Sequence, residues 1–411
     1  MNKLPDNWEL KTLSEVGDII GGGTPNTTKE EYWNGDILWV IPSEVTSLPT
    51  KYLYTTERKI TELGLKNSSA KIIKPNSLII CTRATIGDCC INRNEVSTNQ
   101  GFKSIIPNEN YDVVFLYYLI SNSKQKLISK ASGTTFLEIS KSNLANLTFN
   151  FPPLEEQKRI ASALSKVDAY LENTIKLTES KERFKRAITK KLLTCKENKN
   201  VPEARFEGFE DEWKEHNLSK IGISYGGLKN KKAKSFLENC NAKYITYKSI
   251  YDKSKIDIDR LENVFVDKNE NQNLVKYGDA FFTISSETPN ELAMSSILLD
   301  EVENTYLNSF CFGFRFDFSI LLPKFARYYF RSDYIRKSTY KLAQGSTRYN
   351  ISKNKFLDII IYLPSLEEQE KIGEFLSLLD AEIDNLKKQA ESIKRLKKGL
   401  MKKLMSGEIR V

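Results

Sequence analysis

Residues 152–157 read Pro-Pro-Leu-Glu-Glu-Gln, and residues 364–369 read Pro-Ser-Leu-Glu-Glu-Gln, at an offset of 212 residues. The match continues without a gap, and about 19 of the 43 positions in residues 152–194 are identical at this offset. A weaker match, at an offset of 205, pairs Trp8 with Trp213. Repetition at a fixed offset indicates a duplicated structural unit. The sequence therefore predicts a variable body followed by a constant helix, each present twice.

The second constant segment has the pattern of a long helix. The spacing of its apolar residues alternates between four and three over much of its length, as in a coiled-coil seam. Ser365 and Glu368 form a capping box after Pro364 and predict where the helix starts, and Gly407 predicts where it ends. The predicted seam residues are Ile372, Leu376, Leu379, Ile383, Leu386, Ala390, Ile393, Leu396, Leu400 and Leu404.

The first constant segment begins with the same pattern, but its middle is less apolar. Thr178 and Lys181 interrupt a seam formed by Ile160, Leu164, Val167, Leu171, Phe184, Ile188 and Leu192. Two narrow apolar stripes of about 60 Å each are expected to bury each other. The pairing is predicted to be antiparallel, because the second body must return the chain. The alternative is that each helix packs on its own body.

Composition narrows the class of protein. No apolar run approaches the roughly 18 residues of a membrane span, and the first residues form no apolar signal region. The six cysteines contain no C-x-x-C pair, so they are expected to be reduced thiols in a cytoplasmic protein. The formal net charge of +9 mildly favours a polyanionic partner.

The two bodies have the pattern of an α+β fold with one mixed or antiparallel sheet each. Strands are predicted at residues 37–41, 77–81 and 280–284, and helical stretches at residues 113–129 and 320–343. The bodies correspond to each other in plan. Residues 97–102 are predicted to match residues 305–310, and residues 132–135 to match residues 344–347.

The chain lacks the common signatures of catalysis. Its single histidine, His216, cannot form a zinc site with scattered cysteines, and it has no general-base partner in the sequence. There is no phosphate-binding loop of the ATPase type. The stretch Gly21-Gly22-Gly23 is interpreted as a turn at the end of a strand. The sequence therefore predicts a protein that is not an enzyme.

Taken together, these motifs resemble the specificity subunit of type I restriction–modification systems. The resemblance rests on the two Leu-Glu-Glu-Gln openings and on the helices behind them. It also rests on the turn at residues 21–25 with Tyr32-Trp33-x-Gly35, on residues 345–348, and on the Val-Pro-Glu-x-Arg-Phe stretch at residues 201–206 before Trp213. It covers essentially the whole chain.

The resemblance implies a non-catalytic DNA reader. Each body would be a target recognition domain that binds half of a bipartite double-stranded site, with the paired helices as a spacer. The subunit would recruit two modification subunits, which use S-adenosylmethionine and flip the adenine that they methylate, and two restriction subunits. No cofactor is expected on this chain itself, whereas S-adenosylmethionine, ATP and Mg²⁺ are expected on the partner subunits.

The resemblance also implies four segments. They are target recognition domain 1 at residues 1–151, spacer helix 1 at residues 152–198, target recognition domain 2 at residues 199–363 and spacer helix 2 at residues 364–411.

Candidate DNA contacts are polar or basic residues on Gly- or Asn-containing loops. Arginine suits guanine and Asn or Gln suits adenine in the major groove, whereas lysine more often meets phosphate. In body one the candidates are Thr82, Arg83, Asn99, Gln100, Lys103, Thr134 and Thr135. In body two they are Lys229, Lys231, Lys232, Ser285, Asn308, Gln344, Ser346, Thr347, Arg348 and Tyr349.

Two other functions remain open from the residues alone. One is a coiled-coil scaffold that organises proteins without binding DNA. The other is a stand-alone nuclease or methyltransferase.

Overall fold

The structure is a computed structural model that describes residues 5, 7–133, 137–195, 200–288, 291–345 and 347–411. The chain forms two compact units, each of which combines one body with parts of both long helices. Unit 1 contains Met1–Thr174 and Gln389–Val411, and unit 2 contains Ile175–Lys388. No helix in the described part of the chain has the length and apolar character needed to cross a membrane.

Body one, in unit 1, contains ten short strands and six short helices among its described residues. The strands are β1 (Glu9–Thr12), β2 (Gly17–Gly21), β3 (Trp33–Val40), β4 (Tyr52–Leu53), β5 (Lys59–Ile60), β6 (Leu78–Cys81), β7 (Cys89–Asn92), β8 (Val96–Thr98), β9 (Phe102–Pro107) and β10 (Thr148–Phe151). The helices are α1 (Leu13–Val16), α2 (Pro42–Ser47), α3 (Glu62–Lys66), α4 (Val113–Ser121), α5 (Lys124–Ile128) and α6 (Lys141–Ala145), with a 3₁₀ turn at Glu30–Tyr32.

Body two, in unit 2, follows the first long helix, α7 (Leu154–Leu193), and precedes the second, α13 (Leu366–Met405). Its strands are β11 (Lys214–Asn217), β12 (Gly222–Gly226), β13 (Ala242–Ile245), β14 (Glu262–Val264), β15 (Ala280–Thr283), β16 (Ser285–Ser286), β17 (Ser295–Ile297), β18 (Thr305–Leu307), β19 (Cys311–Phe316), β20 (Tyr349–Asn350) and β21 (Ile360–Leu363). Its helices are α8 (Leu218–Ile221), α9 (Tyr247–Asp252), α10 (Pro323–Tyr329), α11 (Asp333–Lys341) and α12 (Lys353–Leu357), with 3₁₀ turns at Ala233–Phe236 and Ile258–Arg260.

The two bodies share one sheet topology. Body one has a sheet of order β2-β9-β6-β7-β4, and body two has the order β12-β19-β15-β17, which matches the first four of these strands. A second sheet, β5-β3-β8, is matched by β14-β13-β18, and in each case the last pair is parallel. A two-stranded sheet joins the start and end of each body, β1 with β10 and β11 with β21. The α+β fold predicted from the sequence is confirmed, but each body contains several sheets rather than the single sheet that was predicted.

The predicted start and end of the second long helix, α13, agree with the structure. The Ser365 hydroxyl accepts a hydrogen bond from the Glu368 N–H at 3.3 Å, which caps α13. The helix ends two residues before Gly407, whose φ of 73° closes a left-handed turn. By contrast, the helical stretches predicted at residues 113–129 and 320–343 are each broken into two shorter helices. In body two, the Ser332 side chain caps the new helix that follows the break.

The long helices run antiparallel within each unit. In unit 2, Lys181 binds Glu382 at 2.7 Å and Lys185 binds Asp380, so the residue number falls along α13 as it rises along α7. In unit 1, the first part of α7 lies beside the last part of α13. The helices also contribute to the apolar cores of the bodies. Each long helix therefore pairs with the other helix and also packs on a body, although the sequence-based prediction gave these two arrangements as alternatives.

Two predicted seam residues are wrong. Leu396 is 71 % exposed and Phe184 is 52 % exposed, and the inward positions next to them belong to Lys397 and Lys185. The reason is that a seam alternates steps of three and four, and this alternation leads from Ile393 to position 397. Because the inward positions 397 and 185 carry lysine, the apolar pattern of the sequence did not indicate the correct register.

Candidate nucleic-acid interface

The repeated glutamate before the glutamine of each constant segment is buried and forms an ion pair with an arginine in its unit. In unit 1, Glu156 accepts from Arg410 Nε at 2.9 Å and from Nη2 at 2.7 Å. In unit 2, Glu368 accepts the same two bonds from Arg205, at 2.8 and 2.7 Å. Both glutamates are almost fully buried, and in each unit an arginine compensates the carboxylate charge. The repeated glutamate is therefore a structural residue in both units.

The glutamine that follows ties each long helix to the body. Gln157 accepts from the N–H of Asp112 at 3.0 Å, and Gln369 accepts from the N–H of Leu322 at 2.8 Å. Asp112 and Leu322 are the N-cap residues of α4 and α10. Each glutamine also donates to the carbonyl of the proline that opens its own segment. The repeated motif therefore fixes equivalent helix starts in both units.

A polar cluster, the unit 1 node, joins α7, α13 and body one. Its centre is Asp168, which lies 2.5 Å from Lys397 Nζ and 2.5 Å from the Tyr118 hydroxyl. Lys51 lies 3.4 Å from the same carboxylate, and Ser165 lies 3.3 Å from the Tyr118 hydroxyl. Burial raises the pKa of Tyr118, so this residue is a neutral hydrogen-bond donor to Asp168.

Unit 2 contains the matching cluster, the unit 2 node. Asp380 binds Lys185, lies 2.6 Å from Arg327 Nη2 and accepts from the Tyr328 hydroxyl at 2.7 Å. Ser377 lies 3.3 Å from the same hydroxyl. The serine, aspartate and lysine of the two nodes are identical in the sequence at the offset of 212. The duplication therefore preserves a polar frame as well as an apolar stripe.

Five sequence-predicted residues of body one converge at one edge, where β6 and β8 end and β9 begins. This set, the body-one edge, consists of Thr82, Arg83, Asn99, Gln100 and Lys103. The Thr82 N–H donates to the carbonyl of Gly101 at 2.8 Å, which brings the two loops together. Asn99 stabilises the turn by accepting from the Gly101 N–H at 2.9 Å.

The side chains of the body-one edge differ in accessibility. Arg83 and Gln100 are exposed, and Asn99 and Lys103 are half-buried. Thr82 is fully buried, and its hydroxyl is satisfied by donating to the carbonyl of Gly101 at 3.0 Å. Thr82 therefore supports the edge from inside. The remaining predictions for this body, Thr134 and Thr135, lie outside the described residues.

Arg83 is held by a carboxylate from a neighbouring hairpin. Its Nε donates to Glu138 Oε2 at 2.6 Å, and Lys103 Nζ lies 3.5 Å from the other oxygen of Glu138. Glu138 is fixed in turn by paired backbone hydrogen bonds with Ser132, at 2.9 and 3.0 Å. The exposed arginine is therefore oriented by a side chain 55 residues further along the chain.

Body two repeats the backbone of this edge. Asn308 accepts from the Phe310 N–H at 2.8 Å, and the Ile284 N–H donates to the Phe310 carbonyl at 3.0 Å. Asn308 therefore corresponds to Asn99, and Phe310 corresponds to Gly101. The sequence alignment of residues 97–102 with residues 305–310 was wrong by one residue, because it matched apolar positions across a turn whose geometry depends on an asparagine.

The hairpin of body two corresponds to the one that carries Glu138. Gln344 and Asn350 exchange backbone hydrogen bonds at 3.0 and 2.8 Å, and Asn350 pairs with Ser285 across two short strands. Ser285 therefore takes the place of Arg83 and is itself buried. Gln344, Thr347 and Arg348 are exposed, and Tyr349 is half-buried. Ser346 lies outside the described residues.

The three predicted lysines of body two lie in the loop after β12, and their environments differ. Lys231 Nζ donates to Glu270 and to the carbonyl of Phe265, both at 2.7 Å, and its side chain is only 5 % exposed. The hydrogen bond from Lys231 is the largest of the interactions that lower the pKa of Glu270 to about 2. Lys229 and Lys232 are exposed. Two of the three lysines are therefore accessible to a partner.

A family model described as the type I restriction modification DNA specificity domain matches the chain over residues 5–179 and 210–395. The chain belongs to this family. It is 27 % identical to the type I restriction enzyme MjaIX specificity subunit of Methanocaldococcus jannaschii over 418 residues, which cover 100 % of this chain and 95 % of the relative.

Two solved structures of specificity subunits share the fold. The HsdS subunit from Thermoanaerobacter tengcongensis aligns with a TM-score of 0.57 and 18 % identity over 99 % of this chain and 98 % of that one. The S subunit from Mycoplasma genitalium aligns with a TM-score of 0.55 and 18 % identity over 98 % of this chain and 97 % of that one.

Two residues at the edges of this specificity subunit, Phe310 and Glu138, were not among the candidates predicted from the sequence. Phe310 is 62 % exposed, which is unusual for a large apolar side chain. Glu138 orients Arg83. A signal for Phe310 was present in the sequence, because Phe310 lies two residues after Asn308, as Gly101 lies two residues after Asn99. No local signal connects Glu138 to Arg83, because their contact depends on the hairpin.

Proposed function

We propose that this specificity subunit reads a bipartite DNA target, with one body on each half of the site. The observation that carries the proposal is that both bodies present the same backbone edge with different side chains. Asn99 and Asn308 form the same turn, while Arg83 is replaced by Ser285. One shape with two sets of side chains suits two readers of different sequences.

The chemistry of the edges supports a nucleic-acid partner. Exposed Arg83 and Gln100 offer the donors and acceptors that distinguish base edges in the major groove. Exposed Lys229, Lys232 and Arg348 of body two supply charge for phosphates. This placement is more informative than the overall charge, since an excess of lysine is common on solvated surfaces.

We further propose that the chain performs no chemistry and recruits two modification and two restriction subunits. The repeated frame supports this proposal, because equivalent nodes and ion pairs in both units would offer the same docking geometry twice. The partner subunits would bind S-adenosylmethionine, ATP and Mg²⁺.

Mapping of methyladenine across a host genome, with this gene present and deleted, tests the proposal. We expect a bipartite motif that disappears on deletion. Replacing body one with that of another family member should change only one half of the motif. Unchanged methylation in an otherwise intact system would contradict the proposal.

A scaffold that does not bind DNA is the main competing function. Salt titration separates the two, because DNA affinity falls steeply with ionic strength according to the number of phosphate contacts. A complex with the modification subunit that shows no salt-sensitive duplex binding would favour the scaffold.

A further inference from the structure

Arg83 at the body-one edge presents an unusual combination of exposure and fixation. Its side chain is 48 % exposed, yet its backbone is paired with that of Glu138 and its Nε is bound to Glu138 Oε2 at 2.6 Å. A long side chain at a surface normally loses considerable conformational entropy when it binds a partner. The contact with Glu138 restricts Arg83 in advance and so reduces that loss.

We propose that Arg83 recognises a guanine in the half-site of body one and that Glu138 is the residue that positions it. The inference deepens the proposed function and rests on it. With Nε occupied, the two terminal nitrogens of Arg83 make no hydrogen bond to the residues that the structure describes. These nitrogens form the pair that matches the O6 and N7 acceptors of guanine in the major groove.

The presence of Glu138 argues for base recognition rather than for simple phosphate binding. A carboxylate on a surface that faces DNA is repelled by phosphate, so a site built only for charge would gain by its absence. Here Glu138 is 28 % exposed and contacts two cations, Arg83 and Lys103. The cluster keeps a net positive charge while the carboxylate fixes the direction of one guanidinium.

Body two cannot use the same device. The positions of Arg83 and Glu138 are taken there by Ser285 and Asn350, which pair in the matching strands. Ser285 is buried, and neither side chain carries a charge. Recognition of guanine through this device is therefore confined to the half-site of body one.

The test uses the reconstituted complex of the full-length chain with its modification subunit and duplexes that contain the methylated motif. Each guanine of the motif is replaced in turn by 7-deazaguanine, which lacks the N7 acceptor but still pairs with cytosine. We expect one position in the half-site of body one to weaken wild-type binding on the order of 10-fold or more. The same replacement should have no effect on the Arg83→Ala complex.

Three further variants separate positioning from folding and from phosphate binding. Arg83→Lys keeps the charge and should bind all duplexes while losing discrimination at that position. Glu138→Ala should lose the same discrimination, and Glu138→Gln should retain most of it, because its amide oxygen can still accept from Nε. Arg58→Ala, which removes an exposed arginine that packs on Trp33 of the same body, is the matched control and should keep the discrimination.

Two results would overturn the proposal while leaving the proposed function intact. One is a uniform loss of affinity of Arg83→Ala for every duplex, which would make Arg83 a phosphate contact. The other is a wild-type complex that is insensitive to 7-deazaguanine throughout this half-site. Absence of any salt-sensitive duplex binding by the wild-type complex would instead remove the proposed function, and this inference with it.

Discussion

The edges of body one and body two have the same backbone but different chemistry. In body one, Gly101 has no side chain, and the arginine beside it is held by a glutamate. In body two, the position of Gly101 carries exposed Phe310, and the arginine is replaced by a buried serine. The turn that supports each edge is nevertheless formed by an asparagine in both bodies. Side chains at the edge can therefore change without disturbing the strands that present them.

The polar nodes of the two units show the opposite pattern, because their side chains are largely the same in both units. The nodes centred on Asp168 and Asp380 keep the same serine, aspartate, lysine and tyrosine. Outside these residues, Lys51 in unit 1 is replaced by Arg327 in unit 2, so a second cation is kept although it comes from a different element. The two repeats therefore share the contacts that fix the long helices and differ in the side chains of their edges.

The largest expected effect concerns this shared frame. Asp168→Ala and Asp380→Ala should each lower the free energy of unfolding by about 4 kcal/mol, because each leaves cations and a buried hydroxyl without their acceptor. Urea denaturation of the full-length chain measures both values. Asp384→Ala, which removes an exposed aspartate from α13, the helix of Asp380, is the control and should have little effect. Unequal losses for the two node variants would show that the nodes are not equivalent.

A smaller difference is expected for the ion pairs of the constant segments. Arg205 is 13 % exposed, and its loss would leave buried Glu368 uncompensated, at a cost of about 3 kcal/mol. Arg410 is 50 % exposed, so water can replace it beside Glu156, and we expect a smaller loss of stability than for Arg205. Thermal denaturation of Arg205→Ala and Arg410→Ala tests this order. A larger loss for Arg410→Ala would contradict it.

The sequence predicted the fold where the physical signal is local or periodic. Alternation of apolar residues located the long helices, and the serine cap and Gly407 located the ends of α13. The same periodicity was misread at Leu396 and Phe184, because the inward positions beside them are lysines that need an aspartate from the other helix. A buried polar contact between distant segments leaves no apolar trace. The only sign of this contact in the sequence was that the polar residues concerned are identical in the two repeats.

The site was only partly predictable for a related reason. Loop residues such as Arg83 and Asn99 were identified because they are polar or basic side chains on Gly- or Asn-containing loops. Whether such a side chain faces solvent depends on tertiary contacts, and Thr82 and Lys231 are buried by partners that the sequence did not indicate. Those that do face solvent stay predictions as DNA contacts.

Phe310 allows the comparison of the two edges to be tested on the DNA side. An exposed phenylalanine can contact the C5-methyl group of thymine in the major groove. Replacement of one thymine by uracil, which lacks only this methyl, should weaken wild-type binding about fourfold at one position of the half-site of body two. Phe310→Ala should bind both duplexes equally, without loss of stability. An unchanged response to uracil in Phe310→Ala would exclude the contact.

The smallest expected effect concerns phosphate binding by the loop that follows β12 in body two. This loop is basic, whereas the equivalent loop of body one reads Gly-Thr-Pro. Lys232 is exposed, so Lys232→Ala should reduce the slope of log affinity against log salt by about one unit. Lys231 is occupied by Glu270 and a backbone carbonyl, so Lys231→Ala should lower stability and leave the slope unchanged. Equal slopes for the two variants would show that Glu270 releases Lys231 to the DNA. In that case the accessible charge of body two would be larger than its unbound structure indicates.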